Sequence, residues 1–315
     1  MPDAPRVPLK PQAIHLPFEA GPYRMAMGFS TVPEVDWFEL DNRYVDEMAE
    51  RRRLLSERRT EVFAALPRSD EARVEALTEI ARNLTRWHPN WFTLEDSRLH
   101  NHLTQEQWDV GTPTCDPFEI AGLLVQEDLC LIQDGLIKDD AAAPLLTAAV
   151  LCFPSRWRLT EKIGRPLTVV HAPVPFYAER LAGPVDRFMR HVKPDHIAVR
   201  LNWSVLDDPT LFQPTGKWRD ARNIAVTAAN AGDTLFLRVE RQTLRRLPRT
   251  GAILFGIRVH VYQLHKAITA PETAARLANA VRALPGETVH YKSLLPIRDA
   301  LLAWLDGRAR TKVAI

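Results

Sequence analysis

Glycine is scarce, with 13 residues in 315. A phosphate-cradling loop needs glycines where backbone approaches ligand, and the chain has no Gly-rich loop of that kind. Nor does it contain a nucleophile elbow, an HExxH helix or a CxxCH site for covalent haem. Cysteine is scarcer still: Cys115, Cys130 and Cys152 cannot all pair, and their spacing fits neither a zinc site nor an oxidised framework. Charge of one sign is lacking too. Forty-one basic residues face 39 acidic ones, for a net +2, which leaves no electrostatic footprint for DNA, RNA or an anionic membrane. The longest nearly apolar stretch, Ala141 to Pro154, is too short for a bilayer and contains Pro144. The start, Met1-Pro2-Asp3-Ala4-Pro5-Arg6, has no apolar region of a secretory signal. Together these absences predict a soluble protein of a reducing cytoplasm.

What is present is a core and a pattern. With 46% hydrophobic residues the chain can fill one large domain or two modest ones. Six early prolines (Pro2, Pro5, Pro8, Pro11, Pro17, Pro22) predict an extended surface arm. Helical spacing follows from Tyr44 through Met48, Leu55 and Val62, and again after Ser69, where Val74, Leu77, Ala81, Leu84 and Trp87 form a stripe stopped by Pro89. The arginine runs 51–53 and 58–59 are interleaved with Asp46, Glu47, Glu50, Glu57 and Glu61, so a solvated, salt-bridged helix face is expected rather than a nucleic-acid surface. Asp116-Pro117-Phe118-Glu119 reads as a capped helix start.

Strands are expected at Leu129–Gln133 and Ala148–Phe153, a hairpin around the Asp134-Gly135 and Asp139-Asp140 turn residues. Helical pieces then run from Arg156 to Lys162, capped by Ser155 and ended by Gly164, and from Tyr177 to Val192 with a kink or restart at Gly183-Pro184. Alternating strands at Val199–Leu206, Leu235–Gln242 and Ile253–Tyr262 make a meander, the last two joined at Leu247–Gly251. Helices at Glu272–Ala283 and Ile297–Leu305 close the chain. The predicted class is α+β: a PAS-like five-stranded antiparallel sheet with inserted helices. Its expected partition is an N-terminal arm and helical extension over 1–112, a core over 113–265 and a C-terminal helical extension over 266–315.

Two constellations carry chemistry. In Val169-Val170-His171-Ala172-Pro173-Val174-Pro175-Phe176-Tyr177-Ala178-Glu179, two prolines stiffen the backbone after His171, whose imidazole among apolar neighbours suits an axial ligand of haem iron. A core histidine satisfied by a backbone carbonyl has the same signature. Tyr177 and Glu179 fall in the first turn of the next helix, where a carboxylate also serves as an electrostatic cap. The second constellation is a polar sheet face of Arg200, Asn202, Arg238, Glu240, Gln242, Arg258 and His260. If open, it is simply wet; if covered, its arginines require anions such as haem propionates or Glu240. His100-Asn101-His102 lacks an evident third metal ligand, and Cys115 and Cys152 read as free cysteines.

Gly21-Pro22-Tyr23-Arg24-Met25-Ala26-Met27-Gly28 with Asp36-Trp37, Val125-Gln126-Glu127-Asp128-Leu129, His171-Ala172-Pro173-Val174-Pro175, Arg200-Leu201-Asn202-Trp203 and Arg238 through Leu244 occur in this order. In these patches, across about residues 15–265, the chain resembles the haem-dependent oxidative N-demethylases. The resemblance implies a PAS-type core holding haem b. It implies O2-dependent demethylation of a small secondary amine, dimethylamine, with release of formaldehyde. Electrons would come from NADPH through partner reductase subunits carrying flavin and an iron–sulfur cluster. By the same resemblance His171 is the iron ligand, Glu179 the pocket carboxylate for the amine or its proton, Tyr177 its helper, and Arg200 and Arg238 contacts to propionates or pocket; His191 and His196 rank below His171. The competing expectation is a haem-binding PAS-type sensor or carrier without turnover, and behind it an apo homologue holding some other ligand.

Overall fold

A computed structural model describes residues 7–134 and 143–310. The first residues of the proline arm and the hairpin turn at Gly135 and Asp139-Asp140 lie outside that range. Ten strands occur in chain order: β1 (Ser30–Val32), β2 (Phe63–Ala65), β3 (Phe92–Glu95), β4 (Arg98–Asn101), β5 (Glu106–Asp109), β6 (Glu127–Asp134), β7 (Pro144–Val150), β8 (Ile197–Leu206), β9 (Phe236–Arg246) and β10 (Ile253–Gln263). Seven of them form one antiparallel sheet in the order β1-β8-β9-β10-β6-β7-β2, and β3-β4-β5 form a second, small sheet. The five expected strands are its five inner ones. The N-terminal region adds a three-residue strand at each edge.

Local chemistry accounts for most elements. The Asp116 carboxylate accepts the Phe118 N–H and starts the helix Pro117–Gly122. The β9–β10 hairpin closes through Leu247 N–H to Ala252 O at 2.7 Å, with Gly251 at φ 70° taking the left-handed position. The helix Tyr44–Glu57 carries the arginine run as expected on its outer face, where Arg53 pairs with Glu50 and Glu57. Arg51 departs from that pattern: it is buried and paired with Asp128 at 3.0 Å. The helix Asp70–Trp87 begins after Ser69, but the Ser69 hydroxyl donates to Leu66 O instead of capping. Its buried face is Ala72, Ala76, Leu77, Ile80, Ala81 and Leu84, whereas Val74 and Trp87 are exposed.

One expected helix is corrected by the structure. No helix spans Arg156 to Lys162; only a 3-10 turn forms at Leu159–Glu161, because Arg156 sits at φ 61° and the Ser155 hydroxyl is committed elsewhere. The segment from Tyr177 restarts near Gly183-Pro184, as two helices, Tyr177–Arg180 and Ala182–His191. The polar face also divides. In the β8–β9 register Asn202 stands opposite Glu240 and Arg200 opposite Gln242, so these share a face. In the β9–β10 register Arg258 stands opposite Arg241 and His260 opposite Val239, which puts both on the other side. The C-terminal helices Pro271–Ala283 and Arg298–Arg310 pack on each other and on the β9–β10 end of the sheet. No helix among the described residues is long and apolar enough to cross a membrane.

Candidate functional site

One face of β8–β10 and β6 floors a cavity of about 760 Å3, inside the roughly 300–1,000 Å3 range of cofactor and small-molecule sites. Its walls come from the segment 167–189, the arm residues 17–26 and the stretch Tyr291–Ser293. Ile132, Leu167, Met189, Leu244, Phe255 and Ile257 make much of it apolar.

His171 is on the wall. The turn Leu167–Val170 ends at it, and its Nδ1 lies 2.8 Å from Leu167 O. A carbonyl can only accept, so Nδ1 carries the proton and Nε2 keeps its lone pair. Burial, helped by the charges of Lys162, Arg200 and Lys217, holds its pKa down to about 4, so the ring is neutral at pH 7. Tyr177 stacks on it with ring centroids 4.7 Å apart. The Tyr177 hydroxyl is buried without a hydrogen-bond partner among the described residues, and burial raises its pKa to about 12. Between Pro175 and Tyr177, Phe176 holds φ 63°, a strained conformation for a bulky side chain at the turn that presents the tyrosine.

Glu240 lines the cavity and Glu179 does not. Glu179 is exposed and lies off the cavity wall, because the first turn of Tyr177–Arg180 directs Tyr177 inward and leaves Glu179 outside. Glu240 is on the sheet floor. Ser155 Oγ donates to its Oε1 at 2.5 Å; Gln242 and Asn202 donate to Oε2 at 2.8 and 3.3 Å. Burial alone would raise its carboxyl, but the Ser155 hydrogen bond, the Arg238 charge and the two amides outweigh it and hold it below its ordinary value. It is therefore ionised. Arg238 does not line the cavity. It lies on the same sheet face as Glu240, just beyond the cavity's edge, giving Nε to Ser155 Oγ at 2.9 Å and its other donors to the carbonyls of Phe153, Thr210 and Leu211.

Six cations line the same space. Arg156 pairs with Asp207 at 3.2 Å and Arg24 is exposed; the other four are Arg200, Lys162, Lys217 and Lys292. None of these four forms an ion pair within the described residues, and each lies over a ring: Arg200 on Phe29 at 5.8 Å, Lys162 on Trp157 at 4.2 Å, Lys217 on Tyr291 at 4.4 Å, Lys292 on Trp203 at 5.2 Å. Burial lowers all four, bringing Lys162 and Lys292 to about 8. Lys292 also donates to Asn202 Oδ1 at 3.3 Å and so touches the Glu240 network. Glu19 also lines the cavity, but it is exposed and pairs with Arg276 at 3.5 Å. Four cations without carboxylate partners around the internally satisfied Glu240 make a cavity suited to an anion.

The structure thus brings together His171, Tyr177 and Arg200 on the cavity wall, and leaves Glu179 and Arg238 off it. Sequence reasoning singles out neither Ser155 nor the three lysines as site residues, and places Glu240 on the polar sheet face as a partner for its arginines. The lysines left no sequence signal, since isolated lysines are ordinarily solvated. Cys130 lines the cavity with its thiol driven up by burial, and His100 and His102 sit on the small sheet, His102 bonded to Thr93. His191 and His196 are not on the wall.

Fold and site therefore define a sheet protein with a partly open, largely apolar, cation-rimmed chamber whose lining includes one neutral imidazole and one carboxylate fixed on the sheet floor. The family model for haem-dependent oxidative N-demethylase, alpha subunit-like, matches residues 28–302. The chain belongs to that family. The match begins at Gly28, so the arm that roofs the chamber precedes it.

The residues fit a haem. A lone pair on a neutral imidazole, apolar walls, and four cations without carboxylate partners correspond to iron, macrocycle and two propionates.

Proposed function

We propose that the chain is the haem-binding, catalytic subunit of an oxidative N-demethylase acting on a small secondary amine of the dimethylamine type. The observation that carries this reading is the pairing, in one chamber, of His171 Nε2 with the ionised, hydrogen-bonded Glu240. The hairpin, crossover helices and meander, with the first core strand beside the last, support a PAS-type arrangement of the five inner strands. His171 holds the iron of haem b through Nε2, and Arg200, Lys162, Lys217 and Lys292 take the propionates. When bound, haem supplies activation of O2 and oxidation of the C–H bond next to nitrogen.

The chain's own residues bind and orient. A dialkylammonium ion entering an apolar chamber needs one anion close by, and Glu240 is held in that form before substrate arrives. Ser155 and Gln242 fix its oxygens, and Arg238 fixes Ser155. Glu240 can pair with the ammonium ion and so orient its methyl group for oxidation. The Tyr177 hydroxyl, lacking a partner, is available to a polar atom of the guest. Per turnover one O2, two electrons and two protons would be consumed; one oxygen atom leaves in water, the other leaves with the methyl carbon as formaldehyde, and the primary amine is released. Reductase subunits carrying flavin and an iron–sulfur cluster, drawing on NADPH, are the electron source in this reading, set in the cytoplasm.

The test is formaldehyde release from dimethylamine by haem-loaded protein with a chemical or enzymatic reductant, in wild type and Glu240→Gln. Turnover lost in the variant while the Soret band persists supports the assignment. A Soret band with no turnover in wild type, given competent reductant, makes the chain a haem carrier or sensor. Unaltered turnover in Glu240→Gln returns the carboxylate to a structural role.

A further inference from the structure

On the sheet face away from the chamber, three side chains from distant parts of the chain converge. We propose that His15, Glu39 and His260 bind one divalent metal ion of the zinc class, which clasps the N-terminal arm to the sheet. His260 comes from β10, Glu39 from the turn after the Glu34–Asp36 3-10 helix, and His15 from the arm. Glu39 Oε2 lies 2.9 Å from His260 Nε2 and 3.1 Å from His15 Nε2, and all three ligand atoms fall within 4.8 Å of one another.

The spacing suits a metal. With bonds of about 2.0–2.2 Å, neighbouring ligands of a tetrahedral zinc lie roughly 3.3 Å apart. Both nitrogen–oxygen separations are already close to this, so only the two imidazoles need adjust. Two imidazoles and a carboxylate are a recognised zinc donor set that leaves a fourth position for water, and imidazole equally suits nickel, copper and iron.

The surroundings hold these groups in place. Arg241 Nε engages the other Glu39 oxygen at 3.2 Å, so Oε2 is the one left to face the histidines. The Glu39 main-chain N–H donates to Glu127 Oε1, which brings a second carboxyl beside the site. The His15 main-chain N–H donates to the Tyr262 hydroxyl, which in turn donates to Ala13 O at 2.5 Å. Outer contacts of this kind orient metal ligands. His260 is fully buried, while the His15 and Glu39 side chains remain 20% and 26% exposed, giving an ion a way in. Two residues beyond His15, Pro17 begins the stretch that roofs the chamber. An ion at this point therefore anchors the roof at one end.

The probe is zinc alone, titrated calorimetrically into untagged, chelator-treated, full-length protein. Retained zinc is measured by atomic emission and haem iron is counted separately. One zinc per chain is expected, with affinity falling at least about tenfold in His15→Ala and in Glu39→Gln. Zinc should also slow proteolysis within residues 7–26 in wild type but not in His15→Ala, a variant in the surface arm that spares the core. No retained zinc overturns the proposal. So does zinc binding unchanged in His15→Ala, or binding lost instead on replacing His100 and His102.

Discussion

The two faces of the large sheet handle buried charge in opposite ways. On the far face the buried arginines have their anions: Arg258 meets Asp41 at 2.7 Å and Glu47 at 2.8 Å, Arg241 meets Glu39, and Arg245 meets Glu34 at 3.1 Å. On the chamber face Arg200, Lys162, Lys217 and Lys292 have rings beneath them and no carboxylate of their own. Both faces belong to the same strands. A closed core satisfies its charges internally, whereas a binding chamber leaves charge for its guest to complete.

The largest effect that would break this contrast is on the far side. Arg258→Met strands Asp41 and Glu47 in a dry site, and unfolding in urea should show a loss of about 3–5 kcal/mol. A loss under 1 kcal/mol would mean that face is wetter than it looks. On the chamber side, Glu240→Gln should lower amine turnover by roughly 10²-fold or more with haem still bound, as expected when the fixed anion facing a cationic substrate is removed. Unchanged formaldehyde release would contradict it.

A smaller effect has opposite signs on the two readouts. Lys292→Met should stabilise the haem-free chain, by on the order of 1 kcal/mol per unit of pKa depression removed, and weaken haem binding. If both readouts fall together, Lys292 is a structural residue. The smallest is a pH effect. Lys162 and Lys292 titrate near 8 in the folded chain and near the ordinary lysine value when unfolded. Between those values the unfolded chain binds more protons, so stability should rise as pH increases through that window. Haem affinity should fall over the same interval as the lysines lose charge. Subtracting the profile of a Lys162→Met, Lys292→Met double variant isolates the contribution, and identical profiles would remove it.

The strands and the His171 motif were legible in sequence because they are local. Period-two alternation marks β8 to β10, the proline pair marks the rigid segment after His171, and the Asp116 cap marks its helix. What stayed hidden depends on register. A six-residue connection between β9 and β10 sets which residues of one face which residues of the other, and nothing in the alternation itself says that Arg258 and His260 turn away from Glu240. Ser155 has the composition of a helix cap, yet its hydroxyl serves a carboxylate 85 positions away. Proximity of Glu179 to His171 in sequence does not by itself place the carboxylate in the cavity, because the helix turn leaves it exposed. The edge strands β1 and β2 are three residues each, too short for any periodicity to appear.

The central claim, a haem seated in the chamber on His171, is tested most directly by titrating haem into the purified full-length chain and into His171→Ala while recording the Soret band. One haem per wild-type chain, with a band that is lost or displaced in the variant, is the predicted result. A spectrum and stoichiometry identical in both proteins, or a wild-type chain that takes up no haem, would contradict it.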